Sequence, residues 1–203
     1  MIGIIDYGVG NLFSLRSSFA AIGCEVTVSR DPDVLTSCER IVLPGVGAFG
    51  DAARLLRESG MADLVLSEAA DGKPILGICL GMQLLLDASH EYGIHPGLGL
   101  IKGAVRPISE TIPSGLKIPH IGWNSLHFTK KHPIFRYVDE GAYVYFVHSY
   151  HGTECDAATV AVTEYGATLC AAVASGNVVG CQFHPEKSGA VGLSILRAFA
   201  EGV

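Results

Sequence analysis

Apolar positions along the chain follow two rhythms, and the change between them falls near Gly97. In the first half, short unbroken apolar runs alternate with longer stretches of helical spacing. Ile2 to Asp6 is one such run, and the glycine-rich Tyr7-Gly8-Val9-Gly10-Asn11 turns the chain. Leu12, Leu15, Phe19 and Ile22 then recur at helical spacing until Gly23 stops them. Val26-Thr27-Val28 and Ile41-Val42-Leu43 predict two more strands, the second ended by Pro44-Gly45-Val46-Gly47. Ala52, Leu55 and Leu56 share one face of a helix closed by Gly60, and Met61 to Ala70 supplies more helix. Ile75 to Ile78 is a fourth predicted strand, and Met82 to Ala88 reads as helix. Strands alternating with helices predict a parallel sheet wrapped on both faces, and unbroken apolar strands fit that double burial.

After Gly97 the segments shorten and become β-rich. Val144 to Val147, Thr159 to Thr163, Leu169 to Val173 and Val178 to Phe183 predict antiparallel hairpins that extend the sheet. Val191, Ile195, Leu196 and Phe199 form one stripe of a closing helix, Gly189 to Ala200. The uncharged stretch from Tyr165 to Phe183 is long enough to be weighed as a membrane span. Gly166, Ser175-Gly176-Asn177, Gly180 and Gln182 break it into two strands around a turn. No linker rich in Pro, Gly or Ser and no repeat divides the chain. The predicted fold class is therefore α/β: a single domain over residues 1–203 with a mostly parallel twisted sheet, helices on both faces and antiparallel hairpin extensions.

Composition narrows the function classes. The chain has 203 residues, 14 basic against 20 acidic, for a net charge of −6; 49% are apolar and 17% charged. That balance excludes a disordered chain and argues against an electrostatic nucleic-acid binder. Six cysteines at 24, 38, 79, 155, 170 and 181 form no Cys-x-x-Cys pair and read as reduced thiols. Asp6 and the lack of a basic leader point away from secretion, so a cytoplasmic location is expected.

The strongest chemical feature is Gly77-Ile78-Cys79-Leu80-Gly81, between a buried strand and a helix. It has the form of a nucleophile elbow with Cys in place of Ser. Such a turn lifts the sulfur above the sheet edge at a helix N-terminus, where the backbone dipoles favour a thiolate. The Leu80 N–H would point at a developing oxyanion. The best-placed base is His184, at the end of an apolar strand, with Glu186 two residues on to hold its other ring nitrogen. Nucleophile, base and orienting acid are the roles of a covalent acyl-transfer site. Pro44-Gly45-Val46-Gly47 also ends a strand in that half of the sheet, and ligands of open α/β sheets sit beyond such ends. The N–H groups around Val46 and Gly47 are thus expected as second oxyanion donors. Tyr7 to Asn11 lacks the third glycine and the distant acid of a dinucleotide loop, so no cofactor is expected. His90, His95, His127 and His132 read as loop histidines, so no metal is expected either.

The elbow Gly77 to Gln83 and His184-Pro185-Glu186 resemble the class I (triad) glutamine amidotransferases, which implies a flavodoxin-like sheet. Several further segments narrow the resemblance to the glutaminase subunits of imidazole glycerol phosphate synthases. These are Asp6 to Asn11, Pro44 to Gly47, Gly97 to Ile101, Pro119-His120-Ile121-Gly122-Trp123-Asn124, Tyr145 to Tyr150 and His184 to Gly189. The resemblance implies that Cys79 attacks the side-chain amide of glutamine, that His184 protonates the leaving ammonia, and that water hydrolyses the thioester. It implies that ammonia passes to a (βα)₈ cyclase in a 1:1 heterodimer that serves histidine biosynthesis. It further implies that Gly45, Gly47, Gln83, Glu91, His148, Ser149 and Tyr150 hold glutamine. Asn11, His120, Trp123 and Lys187 would lie toward the cyclase. A flip of the Val46 peptide would be a natural switch between idle and active states. The sequence departs from the family pattern at His151 and Cys181, and Cys181 is close enough to His184 to be a rival nucleophile. Rival readings are another class I amidotransferase subunit, a Cys-His peptidase or γ-glutamyl hydrolase of related fold, and an inactive scaffold.

Overall fold

A computed structural model describes residues 1–202. The chain begins with β1 (Ile2–Ile5), α1 (Leu12–Ala21), β2 (Val26–Ser29), α2 (Pro32–Thr36), β3 (Arg40–Leu43), α3 (Phe49–Glu58), α4 (Met61–Ala70) and β4 (Ile75–Ile78). After β4 come α5 (Leu80–Leu84), β5 (Ala88–Ser89), β6 (His95–Pro96), β7 (Ala104–Pro107), β8 (His120–Ser125) and β9 (His127–Phe128). The last part holds β10 (Tyr143–His148), β11 (Tyr150–Thr153), β12 (Thr159–Glu164), β13 (Thr168–Ser175), β14 (Val178–Cys181) and α6 (Gly189–Glu201).

The main sheet has the order β2-β1-β3-β4-β14-β13-β12-β9. β2, β1, β3, β4 and β14 run parallel, and β13, β12 and β9 add antiparallel ladders. Alternate residues of each central strand enter two separate cores. Ile5, Ile41, Leu43 and Ile75 pack with α3 and α4 through Phe49, Leu56, Met61 and Val65. Ile4, Val42, Leu76 and Ile78 pack with α1 and α6 through Leu15, Phe19, Ile195 and Phe199. The α/β class and the helices on both faces follow the sequence expectation.

Three expectations are corrected. Val144 to Val147 lies in β10, which pairs only with β8 as a separate two-stranded sheet and does not extend the main one. Val178 to Phe183 ends as a strand at Cys181, and it lies parallel to β4 while forming a hairpin with β13. The helix expected at Met82 to Ala88 begins at Leu80 and ends at Leu84. Its extension is cut because the loop beyond β6 captures its carbonyls. Leu98 N–H donates to Leu84 O at 2.8 Å, Leu100 and Ile101 N–H to Leu85 O at 3.0 Å, and Gly99 N–H to Leu86 O at 3.1 Å. Ala88 then joins β5, paired with β6 and β7.

Candidate active site

The carboxyl ends of β3, β4 and β14 lie side by side, and the loops that follow them build the site. Leu43 pairs with Gly77, and Cys181 with Ile78. Cys79 N–H donates to Cys181 O at 2.7 Å, which anchors the turn to β14. Cys79 itself has φ +55° and ψ −111°. A side chain held in that conformation is strained, and such strain collects at functional turns. The flanking glycines are required by crowding. A Cβ on Gly77 would sit 2.7 Å from Gly81 O, and a Cβ on Gly81 would overlap Leu43 O. Leu80 opens α5, so its N–H has no partner within the helix.

His184 follows β14 and is 2% exposed. Its Nδ1 is 2.8 Å from Glu186 Oε1, and the Glu186 side chain is 1% exposed. That bond leaves Nε2 for the sulfur of Cys79. Burial pushes the imidazole pKa down, but bonds to Cys79 and Glu186 and the charges on both push it up further, to about 9. The ring is therefore cationic at neutral pH beside the Cys79 sulfur, with the Glu186 side chain fixing its orientation. Cys79, His184 and Glu186 stand in one row. Cys181 does not compete: it is 3% exposed, and burial, with the charges of Glu186 and Cys79, pushes its thiol well above the ordinary range.

A cleft of about 640 Å³ opens over the sulfur. Of the residues singled out above, Val46, Gly47, Cys79, Leu80, Gln83, Glu91, His148, Ser149, Tyr150 and His184 line it. Gly45 does not. It is buried under the elbow, where a Cβ would sit 2.7 Å from Gly81 N and 2.9 Å from Leu80 Cβ. It packs two loops closely against each other. The Pro44-to-Ala48 loop is tied at both ends. Tyr7 Oη donates to Pro44 O at 2.8 Å, and Phe49 N–H donates to Glu91 Oε2 at 2.6 Å. Between these ties Val46 is 42% exposed and Gly47 has φ +91°.

The four residues expected toward a partner separate. Trp123 is 55% exposed on β8, edge-on to Tyr145 of β10, and Lys187 Nζ lies 5.8 Å from the Tyr145 ring centroid. Lys187 also lines the cleft. Asn11 is half-buried, and its side chain caps α1 by accepting from Ser14 N–H at 3.4 Å. His120 is 2% exposed, stacked between Phe146 and Tyr165, which corrects the expectation that it faces outward. Alternation along β8 explains the difference: His120 and Trp123 point to opposite faces. Burial lowers the His120 pKa to about 4. Burial is also the main cause for His148, which falls to about 3. His148 Nδ1–H donates to Tyr150 O at 2.9 Å, so its Nε2 accepts from His120 Nδ1–H at 3.0 Å.

Sequence reasoning missed Tyr7, Gln182 and the cleft residues Pro107, Ser109 and Ile118. Only Gln182 carried a signal. A strand period of two puts it on the same side as His184.

The glutamine amidotransferase class-I family model matches residues 3–202. The chain belongs to the class I glutamine amidotransferase family. Full-length relatives carry a narrower name. The imidazole glycerol phosphate synthase subunit HisH of Geobacter sulfurreducens is 49% identical, with 98% of each chain covered. That of Sulfurimonas denitrificans is 50% identical, covering 99% of this chain and 98% of its own length. Among solved structures, the PurLQS complex of Thermotoga maritima contains a chain that superposes with TM-score 0.77 at 24% identity, covering 98% of this chain and 97% of that one. A structure described as glutamine amidotransferase reaches 0.76 at 20% identity, covering 98% and 97%. These structural likenesses concern the fold alone.

Proposed function

We propose that this chain is the glutaminase subunit of an imidazole glycerol phosphate synthase. The observation that carries the reading is Cys79 at φ +55° at the head of α5, facing the His184–Glu186 pair. The narrower assignment is supported by relatives about half identical along essentially the whole chain and named for that subunit. Glutamine enters the cleft, and the Cys79 sulfur attacks its side-chain carbonyl carbon. The negative charge that develops on oxygen is met by the Leu80 N–H and the N–H groups around Val46 and Gly47. His184 gives its proton to the departing nitrogen, which leaves as ammonia, and the γ-glutamyl thioester remains. His184 then takes a proton from water, which attacks the thioester and releases glutamate and the thiolate. Glu186 holds the ring through Nδ1 throughout. Gln83, Glu91, His148, Ser149 and Tyr150 are the proposed glutamine contacts.

The ammonia is used by a cyclase subunit, a (βα)₈ barrel in a 1:1 heterodimer. There it yields imidazole glycerol phosphate and an aminoimidazole carboxamide ribonucleotide. The exposed Trp123, beside Tyr145 and Lys187, supports an interface on that side of the cleft, since aromatic anchors dominate such surfaces. The six free thiols agree with a cytoplasmic, reducing setting. Among the described residues, no helix is long and apolar enough to cross a membrane. The deciding experiment is co-purification with a candidate cyclase, followed by turnover of the cyclase's ribonucleotide substrate with glutamine as the nitrogen source. A stable complex and glutamine-driven product are expected. Rapid glutamine or peptide hydrolysis by the lone chain, with no complex, would instead favour a free-standing γ-glutamyl hydrolase or peptidase.

A further inference from the structure

We infer that Gln182 is a further catalytic residue, whose side-chain amide is a fixed hydrogen-bond donor to the Cys79 sulfur. Gln182 is 0% exposed, and a fully buried amide must find partners inside the protein. Its Nε2 lies 3.7 Å from Cys79 Sγ, and its Oε1 lies 2.9 Å from Gln83 Nε2. Amide ends are easily interchanged, so the direction of this bond needs an independent anchor. Tyr150 O provides one. It lies 3.1 Å from Gln83 Nε2, and a carbonyl oxygen can only accept. The end of Gln83 facing Tyr150 is therefore the NH₂ group. The same NH₂ faces Gln182, so the Gln182 atom that meets it is the oxygen. The Gln182 NH₂ is left directed at the sulfur. Both ends of the relay are rigid, because Gln182 N–H donates to Ala171 O at 2.8 Å and Cys79 N–H donates to Cys181 O.

The chemistry of sulfur makes this bond selective among states. A thiolate is a strong acceptor, whereas a thiol or thioester sulfur is a weak one. The bond is strongest when the sulfur carries charge: before it attacks, and when it departs from the acyl group. His184 also stabilises that charge, but it carries a mobile proton. Gln182 cannot transfer its proton, so it holds the anion without quenching it. It also holds the sulfur in position on a strained turn. The meaning of these roles for turnover rests on the glutaminase reading above; the bond itself does not.

The test is the pH dependence of Cys79 alkylation by iodoacetamide, read on the Cys79 peptide by mass spectrometry. Wild type is compared with Gln182→Met and Gln182→Glu, each checked for a cooperative thermal transition. Gln182→Met removes the donor at similar volume. Its profile is expected to move up by about one pH unit, so that alkylation slows about tenfold on the acid limb of the profile and recovers in base. Gln182→Glu keeps an acceptor for Gln83 but sets a carboxylate against the sulfur, and its profile is expected to move further. In the cyclase complex, kcat for glutamine should fall by a similar factor with KM within about twofold. An unchanged alkylation profile in either folded variant overturns the inference. So does a raised KM at unchanged kcat, which would make Gln182 only a prop for Gln83. Should Gln182→Met fail to fold, Gln182→Glu alone decides. A wild type that alkylates in this way yet releases no ammonia would overturn the glutaminase reading and leave the Gln182 bond standing.

Discussion

At the scale of single residues, the two cysteines near His184 have opposite environments despite their closeness. Both belong to the same core cluster, but Cys79 lines the cleft beside a histidine cation, while Cys181 does not reach the cleft and burial raises its thiol. Cys79→Ala is expected to cut glutamine-driven turnover at least about a thousandfold, because the covalent route is lost. Turnover supplied with ammonia should persist, since that reaction belongs to the partner. Cys181→Ala should leave both within about twofold. The same Cys79→Ala variant tests the electrostatics. Two of the four influences that raise His184 come from Cys79, so its pKa should fall clearly below about 9, as read by NMR titration of the ring. A ring that still titrates near 9 would mean that Glu186 alone supports the cation. Most of this chemistry was legible in the sequence, because the elbow and the His-x-Glu spacing are local. The burial of Gly45 under Leu80 was not, since it arises from two loops 35 residues apart (45 and 80) meeting in space.

At the scale of elements, legibility follows length and apolarity. The strands β1, β3 and β4 are mostly apolar runs and β2 is Val-Thr-Val-Ser, and all four were found within a residue or so. The strands β5, β6 and β9 are two residues long, β8 carries His120, Gly122 and Asn124, and β7 ends at Pro107, so none has a readable pattern. They exist because partners elsewhere take their backbone groups. The short strands β8, β10 and β11 also carry three buried histidines, and their pH behaviour follows. Burial is the main cause holding His120 and His151 to about 4 and His148 to about 3. His151 Nε2 pairs with Thr111 Oγ1 at 2.8 Å. These folded pKa values are depressed below the ordinary 6.5. The unfolded chain therefore binds more protons in the window between, and stability is present above pH 6.5 and lost as pH falls toward 4. The loss approaches about 1.4 kcal/mol per pH unit for each histidine. Denaturant midpoints measured from pH 7 to 4.5 should fall steadily, and a flat profile over that range would contradict the buried, neutral assignment.

At the scale of the whole molecule, the proposed triad and the loop beside it are held in different ways. Cys79, His184 and Glu186 are fixed by backbone and side-chain bonds, and the Pro44-to-Ala48 loop is hydrogen-bonded near its ends by Tyr7 and Glu91, with Gly45 packed under the elbow. Val46 is exposed and Gly47 has a positive φ, so a turn of the peptide between them is the switch proposed for this loop. A site with one oxyanion donor misdirected loses about 10²- to 10³-fold in kcat. The other side of the cleft leads outward: His184 N–H donates to Tyr145 O at 2.9 Å, and Tyr145 pairs with Trp123 across β10 and β8. A partner seated on Trp123 thus lies one strand from the base. The lone chain is expected to hydrolyse glutamine about 10²- to 10³-fold more slowly than the complex with the cyclase's substrate bound. Trp123→Ala should weaken the complex about 30-fold, as loss of a central aromatic anchor does. It should restore the full rate when the partner is in excess, because Trp123 touches neither the sulfur nor the cleft. Equal rates for the lone chain and the loaded complex would remove the loop as a switch and leave the triad as a free-running hydrolase.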